Sequence, residues 1–151
     1  MSDVEDRLTA LEARVETLEG RRDPDDRARG VIEYHGNVDF DGELDWTIRY
    51  DAASVLRLPT NDQVEVAAAL GNPVRYALLH TLLDGACTSS ELAEAVGLTS
   101  TGQLYHHLRA LCSAKIVEQR GRGAYRIPPQ KIVPVLVLMT AAADIAELLH
   151  H

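Results

Sequence analysis

The chain has 151 residues, 46% of them hydrophobic and 5% aromatic, enough for one modest core with appendages. Its formal charge of −8 argues against nucleic-acid binding by net attraction alone, so the distribution of charge matters. No apolar run is long enough to span a bilayer and no basic-then-apolar leader opens the chain, so a soluble cytoplasmic protein without a membrane partner is expected.

The charge is unevenly divided. Residues 1–69 hold 8 Lys+Arg against 17 Asp+Glu, residues 70–127 hold 6 against 4 with three histidines besides, and residues 128–151 hold 1 against 2. The acidity belongs to the N-terminal half, and the middle of the chain is mildly basic. The two cysteines, Cys87 and Cys112, supply neither a disulfide framework nor metal-ligand spacing, and are expected to be ordinary thiols in a reducing compartment.

In chain order, Val4, Leu8, Leu11, Val15 and Leu18 are spaced 4, 3, 4, 3, a heptad rhythm of about two and a half repeats. Such a helix is too short to be stable alone. It either pairs with its copy or lies along its own domain. Arg21 to Gly30 is charged, proline-interrupted and apolar-poor, and reads as a linker. A β-hairpin follows over residues 31–50. Ile32, Tyr34, Val38 and Phe40 alternate with polar residues, Asp41-Gly42 makes the turn, and Leu44, Trp46, Ile48 and Tyr50 alternate in the return strand. Its apolar face must cover something. It packs on the winged helix or on the partner protomer, or it walls a pocket for an apolar effector, and in the last case Tyr34, Phe40 and Trp46 are the candidate lining.

Ala52 to Pro59 is either a short helix or a connector. Thr60-Asn61-Asp62-Gln63 fits a capping box opening a helix to about Leu70, and Asn72-Pro73 caps the next, which ends at Asp84-Gly85. Thr88-Ser89-Ser90-Glu91 caps a third helix, whose Leu92, Ala93 and Val96 face the core and which Gly97 terminates. Ser100-Thr101-Gly102-Gln103 fits another capping box, so a fourth helix is expected over 101–114. Its Leu104, Leu108 and Leu111, with His107 one step round, share an apolar edge; Gly102, Tyr105, His106, Arg109 and Ser113 share the opposite face. Val117–Arg120 and Ala124–Ile127 then alternate around Gly121-Arg122-Gly123, a hairpin with a basic tip. After Pro128-Pro129, residues Ile132 to Leu149 read as a long helix, apolar almost all round at its start, with Pro134 near its beginning or kinking it. A helix of that kind needs two partners, its own domain and another subunit, so a homodimer is expected. His150-His151 carry no assigned role.

The run L-T-S-T-G-Q-L-Y-H-H-L-R-A-L, followed by K-I-V and an R-G-R-G wing, resembles the winged helix-turn-helix of ArsR-type bacterial transcription regulators. Ala69 to Leu79 looks like that family's first domain helix, and the resemblance extends from about residue 69 to the C-terminus. The expected fold is mainly α with small β. Segments 1–20, 21–30, 31–50, 51–127 and 128–151 are a coiled-coil helix, linker, hairpin, winged helix-turn-helix and dimerisation helix. The resemblance implies dimerisation through the terminal helix and sequence-specific binding of double-stranded DNA, with helix 101–114 in the major groove.

On that reading Tyr105, His106 and Arg109 contact base edges. Arg109 has the two donors a guanine edge accepts. Gln103 reads adenine or serves only the cap. Ser100 and Thr101 donate to phosphate from the helix N-terminus, and Arg120 and Arg122 reach backbone or minor groove from the wing. His107, on the core-facing edge, is a packed histidine. Resembling metal sensors carry paired cysteines on the helix here written Ser90–Val96, or paired Asp/His ligands on the terminal helix. This chain has no thiol in the first place and only Asp144, Glu147 and His150 in the second, so no metal and no cofactor is expected. There is no P-loop, dinucleotide fingerprint or GxSxG elbow, and no enzyme is expected. The alternative functions are a protein-interaction module working through the coiled coil and aromatic hairpin, or a one-component sensor of an apolar ligand.

Overall fold

The computed structural model describes residues 7–11, 30–40 and 42–149. The chain falls into two compact units, one bounded as Met1–Ile32 with Tyr50–Arg57, the other as Glu33–Arg49 with Leu58–His151. In the first, residues 7–11 are helical (α1), and Leu8 and Leu11 are exposed. The other heptad positions, Val4, Val15 and Leu18, and the linker up to residue 29 lie outside the described residues. The Ala52–Pro59 ambiguity resolves as a short helix, α2 (Ala52–Leu56), capped by Asp51, whose carboxylate accepts from the Ser54 amide at 3.0 Å.

The hairpin strands are β1 (Val31–Asp39) and β2 (Glu43–Asp51). Tyr34, Val38, Phe40, Leu44, Trp46 and Ile48 are half-buried, as the alternation requires. Ile32 and Tyr50, assigned to the same face, are instead exposed, because the covered stretch stops short of the strand ends. The outer face is held by polar pairs across the strands. His35 Nδ1 lies 3.1 Å from Thr47 Oγ1, and Arg49 lies 3.7 Å from Glu33. Gly42 adopts φ +131° in the loop; Asp41 lies outside the described residues.

The second unit contains the helices α3 (Thr60–Leu70), α4 (Pro73–Leu83), α5 (Ser89–Ala95), α6 (Thr101–Ser113) and α7 (Pro129–Ile145). Its core is built on Leu78, Leu79, Leu82 and Leu83 of α4, Leu92 of α5 and Leu104, Leu108 and Leu111 of α6. Ile116, Val117, Tyr125 and Ile127 from the wing and Ile132 and Val135 from α7 complete it, and Val38, Phe40 and Leu44 of the hairpin pack against it. Truncating any one of the buried leucines to alanine would cost about 2–5 kcal/mol.

Local chemistry explains the helix limits. Asn72 Oδ1 accepts from the Val74 and Arg75 amides at 3.0 and 3.1 Å, and Pro73 fills the first helical position, where its missing N–H costs nothing. Thr88 and Glu91 form a full capping box on α5. The box expected at Thr60 does not form. Thr60 is itself the first helical residue, and the cap position falls to Pro59, which has no polar side chain. Arg75 reaches back to stop α3, donating to the Ala69 and Ala68 carbonyls at 2.6 and 2.7 Å. Helix α7 starts three residues earlier than expected, because Pro129 is tolerated at its first turn, and Pro134 lies inside it. It ends four residues early. Glu147 turns left-handed at φ +57° and Leu148 N–H closes back on the Ala143 carbonyl at 2.9 Å.

The wing strands β4 (Glu118–Arg120) and β5 (Ala124–Arg126) pair antiparallel, Gln119 opposite Tyr125. A third strand unforeseen in the sequence, β3 (Cys87–Thr88), pairs with β5 on its other side, giving the order β3-β5-β4.

Gly36 explains how closely the hairpin can lie on α7. A Cβ there would sit 2.6 Å from Val133 Cγ1 and 3.2 Å from Cγ2, and a β-branched side chain on a helix has no alternative rotamer to yield into. Gly36→Ala should therefore destabilise the chain by about 1–3 kcal/mol, with part of the loss recovered by adding Val133→Ala. Denaturant melts of the two variants check this; an unaltered midpoint for Gly36→Ala would mean that the strand does not rest on Val133.

Candidate nucleic-acid interface

Helix α6 has the expected two faces. Leu104, Leu108 and Leu111 are fully buried, while Gly102, Gln103, Tyr105, His106, Arg109 and Ser113 are exposed, Tyr105 to 41% despite its size. Its N-terminus is set by Ser100, whose hydroxyl accepts from the Gln103 amide at 3.4 Å. Among the described residues only this half of the expected box forms, leaving the Gln103 amide group free to face outward. Its C-terminus closes through Lys115 at φ +59°. The Ile116 amide donates to the Leu111 carbonyl at 3.1 Å and Lys115 N–H to the Cys112 carbonyl at 3.0 Å. That turn drives Ile116 and Val117 into the core and launches β4 directly from the end of α6.

The wing tip turns through Gly121 and Gly123, at φ +62° and +79°, a conformation that side chains resist. Ser89 N–H donates to the Gly123 carbonyl at 2.9 Å, tying the tip to the start of α5. Arg120 and Arg122 are exposed, and among the described residues neither has an ion-pair or hydrogen-bond partner for its side chain. Arg126, which the sequence leaves undistinguished from them, is different: its Nε donates to Glu118 Oε1 at 2.6 Å across the strands. The register makes that pairing, and among the described residues Arg120 and Arg122 are the wing arginines whose charge has no partner. Lys115, also exposed, adds a cation at the end of α6, at a helix stop that periodicity does not reveal.

Burial, and then the nearby Tyr105 and Cys112, push the Tyr125 hydroxyl above its usual range. Burial raises Cys112 likewise, and raises Cys87 with Glu91 and Asp84 adding to it, so neither thiol is activated. Among the described residues no group of three or more His, Cys, Asp or Glu could hold a metal ion, and no helix is long and apolar enough to cross a membrane. Phe40 lines a groove of about 610 Å³ with Leu83, Leu136, Met139 and Leu149, but Tyr34 and Trp46 do not.

His107 occupies the edge between the two faces of α6. Its Nδ1 is buried and finds no hydrogen-bond partner among the described residues. Burial, then the neighbouring His106 and Arg75 charges, lower its pKa from the ordinary 6.5. Below 6.5 the unfolded chain takes up a proton that the folded chain resists. The stability present above 6.5 should therefore fall as pH drops through the lowered value. Thermal melts from pH 7.5 downward on the native chain and on His107→Leu check this, with a smaller acid loss expected in the variant. Identical pH dependence in the two would exclude His107 as the source.

Residues 70–120 match the family model described as a helix-turn-helix domain. No curated protein sequence matches the chain. Among solved structures, the chain is similar to the homodimeric winged helix-turn-helix DNA-binding domain (fragment 1–100) of Mb0332 from Mycobacterium bovis, a possible ArsR-family transcriptional regulator. Identity is 26% over 68% of this chain and 94% of that one, with a TM-score of 0.53. The crystal structure of the same Mycobacterium bovis fragment matches at 27% identity over 58% and 97%, TM-score 0.51. Rv0081 of Mycobacterium tuberculosis matches at 25% identity over 58% and 93%, TM-score 0.50. The chain thus carries a helix-turn-helix domain at residues 70–120 inside a winged-helix fold similar to that of ArsR-family transcriptional regulators.

Proposed function

We propose that this chain is a cytoplasmic, homodimeric transcriptional regulator that binds double-stranded DNA sequence-specifically. The observation that carries the reading is the exposed face of α6, where Tyr105, His106 and Arg109 stand beside a wing whose Arg120 and Arg122 have no partner for their charge among the described residues. Tyr105 and Arg109 reach base edges in the major groove, with His106 and Gln103 beside them. Ser100 and Thr101 donate to phosphate at the start of α6, and the two wing arginines hold the backbone or minor groove. The similar Mycobacterium bovis domain, named as a homodimeric DNA-binding domain, supports both the ligand and the dimer. Exposed Leu138 and Ile145 on α7 support a dimer contact through that helix. The reading assigns the chain no catalysis.

Fluorescence-anisotropy titrations of random and preferred duplexes across a salt series test it. Arg109→Ala should cost about 1–3 kcal/mol on the preferred duplex and relax its base preference. Arg122→Ala should weaken all duplexes alike and reduce the salt slope by about 1. An unchanged affinity in the first, or an altered base preference in the second, would refute the role given to that arginine. No binding to any duplex at low salt would refute the function.

A further inference from the structure

The groove lined by Phe40, just past the end of β1, has the C-terminal turn of α4 and one face of α7 as its other walls. The α7 wall is Leu136, Met139, Thr140 and Ala143, a single stripe at i, i+3, i+4 and i+7. Leu138 and Ile145, given above to the dimer contact, lie on another face of the helix, so dimerisation through them does not require the stripe. Phe40, Leu136 and Met139 are half-buried and pack against the core, which fixes the apolar side of the groove. Its volume of about 610 Å³ is in the range of small-molecule sites.

The polar groups that line it are of one kind. Thr81 commits its hydroxyl proton to the Ala77 carbonyl at 3.2 Å, and Thr140 commits its own to the Leu136 carbonyl at 2.8 Å. What each oxygen still offers a ligand is a lone pair. Asp84, exposed at the C-cap of α4, adds a carboxylate that can only accept, and among the described residues it forms no ion pair. It stands where the α4 dipole is negative, which adds to its attraction for a cation. No lysine or arginine is among the described lining residues, and His80 is the lining side chain that can still donate. An anion entering this space would give up water and meet no fixed positive charge, whereas a protonated amine meets three acceptors.

We propose that this groove binds a small amphiphilic cation, an aryl- or alkylamine. Its apolar body lies on Phe40, Leu83, Leu136 and Met139, and its ammonium is held by Asp84 with Thr81 and Thr140. The site goes beyond the DNA-binding reading and does not rest on it, since none of these residues belongs to α6 or the wing.

Met139 makes the site directly observable, because the chain's other methionine is Met1. The full chain, isotope-labelled at its methionine methyls, is titrated by NMR with phenylbutylamine, phenylbutanol and phenylbutyrate, which share one apolar body and differ in charge. The amine should shift the Met139 methyl saturably and bind about fivefold more tightly than the alcohol, the size of one solvent-facing ion pair. The carboxylate should bind more weakly than either. Asp84→Asn should remove the amine's advantage and leave the alcohol's affinity unchanged, a split that a merely structural role would not give. Ala143→Trp, which fills the groove from α7, should abolish the response to all three. Equal affinities for amine and carboxylate, or an amine advantage that survives Asp84→Asn, would overturn the choice of ligand. A response that survives Ala143→Trp would overturn the location. A Met139 methyl silent to every probe, as when a second copy of the chain covers the groove, would overturn the site. Duplex binding by the unliganded chain is measured alongside. Its presence with a silent groove overturns only this site, and its absence with a responsive groove overturns only the function proposed above.

Discussion

One apolar stripe on α6 governs the rest of the second unit. Leu104, Leu108 and Leu111 can be buried against Leu78, Leu79 and Leu82 of α4 in only one rotation of the helix about its axis. That rotation decides which residues are left in solvent, and Tyr105, His106 and Arg109 are among them. The caps fix the helix along its length as the core fixes it in rotation. Ser100 sets where it starts, and the left-handed turn at Lys115 sets where it stops. Because that turn hands Ile116 and Val117 straight to the same core, the wing cannot be placed independently of α6. The arginines at its tip are positioned by leucines 9 to 18 residues earlier in the chain.

The hairpin belongs to the same economy of surface. It lays Val38, Phe40 and Leu44 against the core and brings its backbone onto α7 at Gly36, where nothing larger than hydrogen fits beside Val133. Its outer face carries Glu33, Asp39, Glu43 and Asp45, and Arg49 lies 3.7 Å from Glu33. An acidic protein that binds DNA gains little from long-range attraction, because neutralising phosphates supplies most of non-specific affinity. Such a protein must rely on contacts made at the groove, which raises the weight on the few exposed cations of α6 and the wing.

Most of this architecture was legible in the sequence because its determinants are local and periodic. The three leucines of α6, the Asn72-Pro73 and Thr88–Glu91 caps, the alternation in the hairpin and the glycines of the wing each leave a short-range mark. What was missed depends on partners distant in sequence or on a shift of one residue. Strand β3 is two residues long and exists only because β5 offers it an edge. The pairing of Arg126 with Glu118 follows from strand register, and composition cannot separate it from Arg120. The Thr60 box failed by a single position, since Pro59 took the cap and Thr60 became the first residue of the helix. Alternation in the hairpin tells which residues share a face and carries no information on whether that face closes around a space.

The central claim is that the outer face of α6 and the wing read a DNA sequence as a symmetric pair. Selection of duplexes from a random library by the full chain, followed by hydroxyl-radical footprinting of the winner, tests it most directly. The account predicts enrichment of an inverted repeat with two protected half-sites centred about 10–10.5 base pairs apart. Failure to enrich any sequence above the starting library, or a single protected site without symmetry, would contradict it.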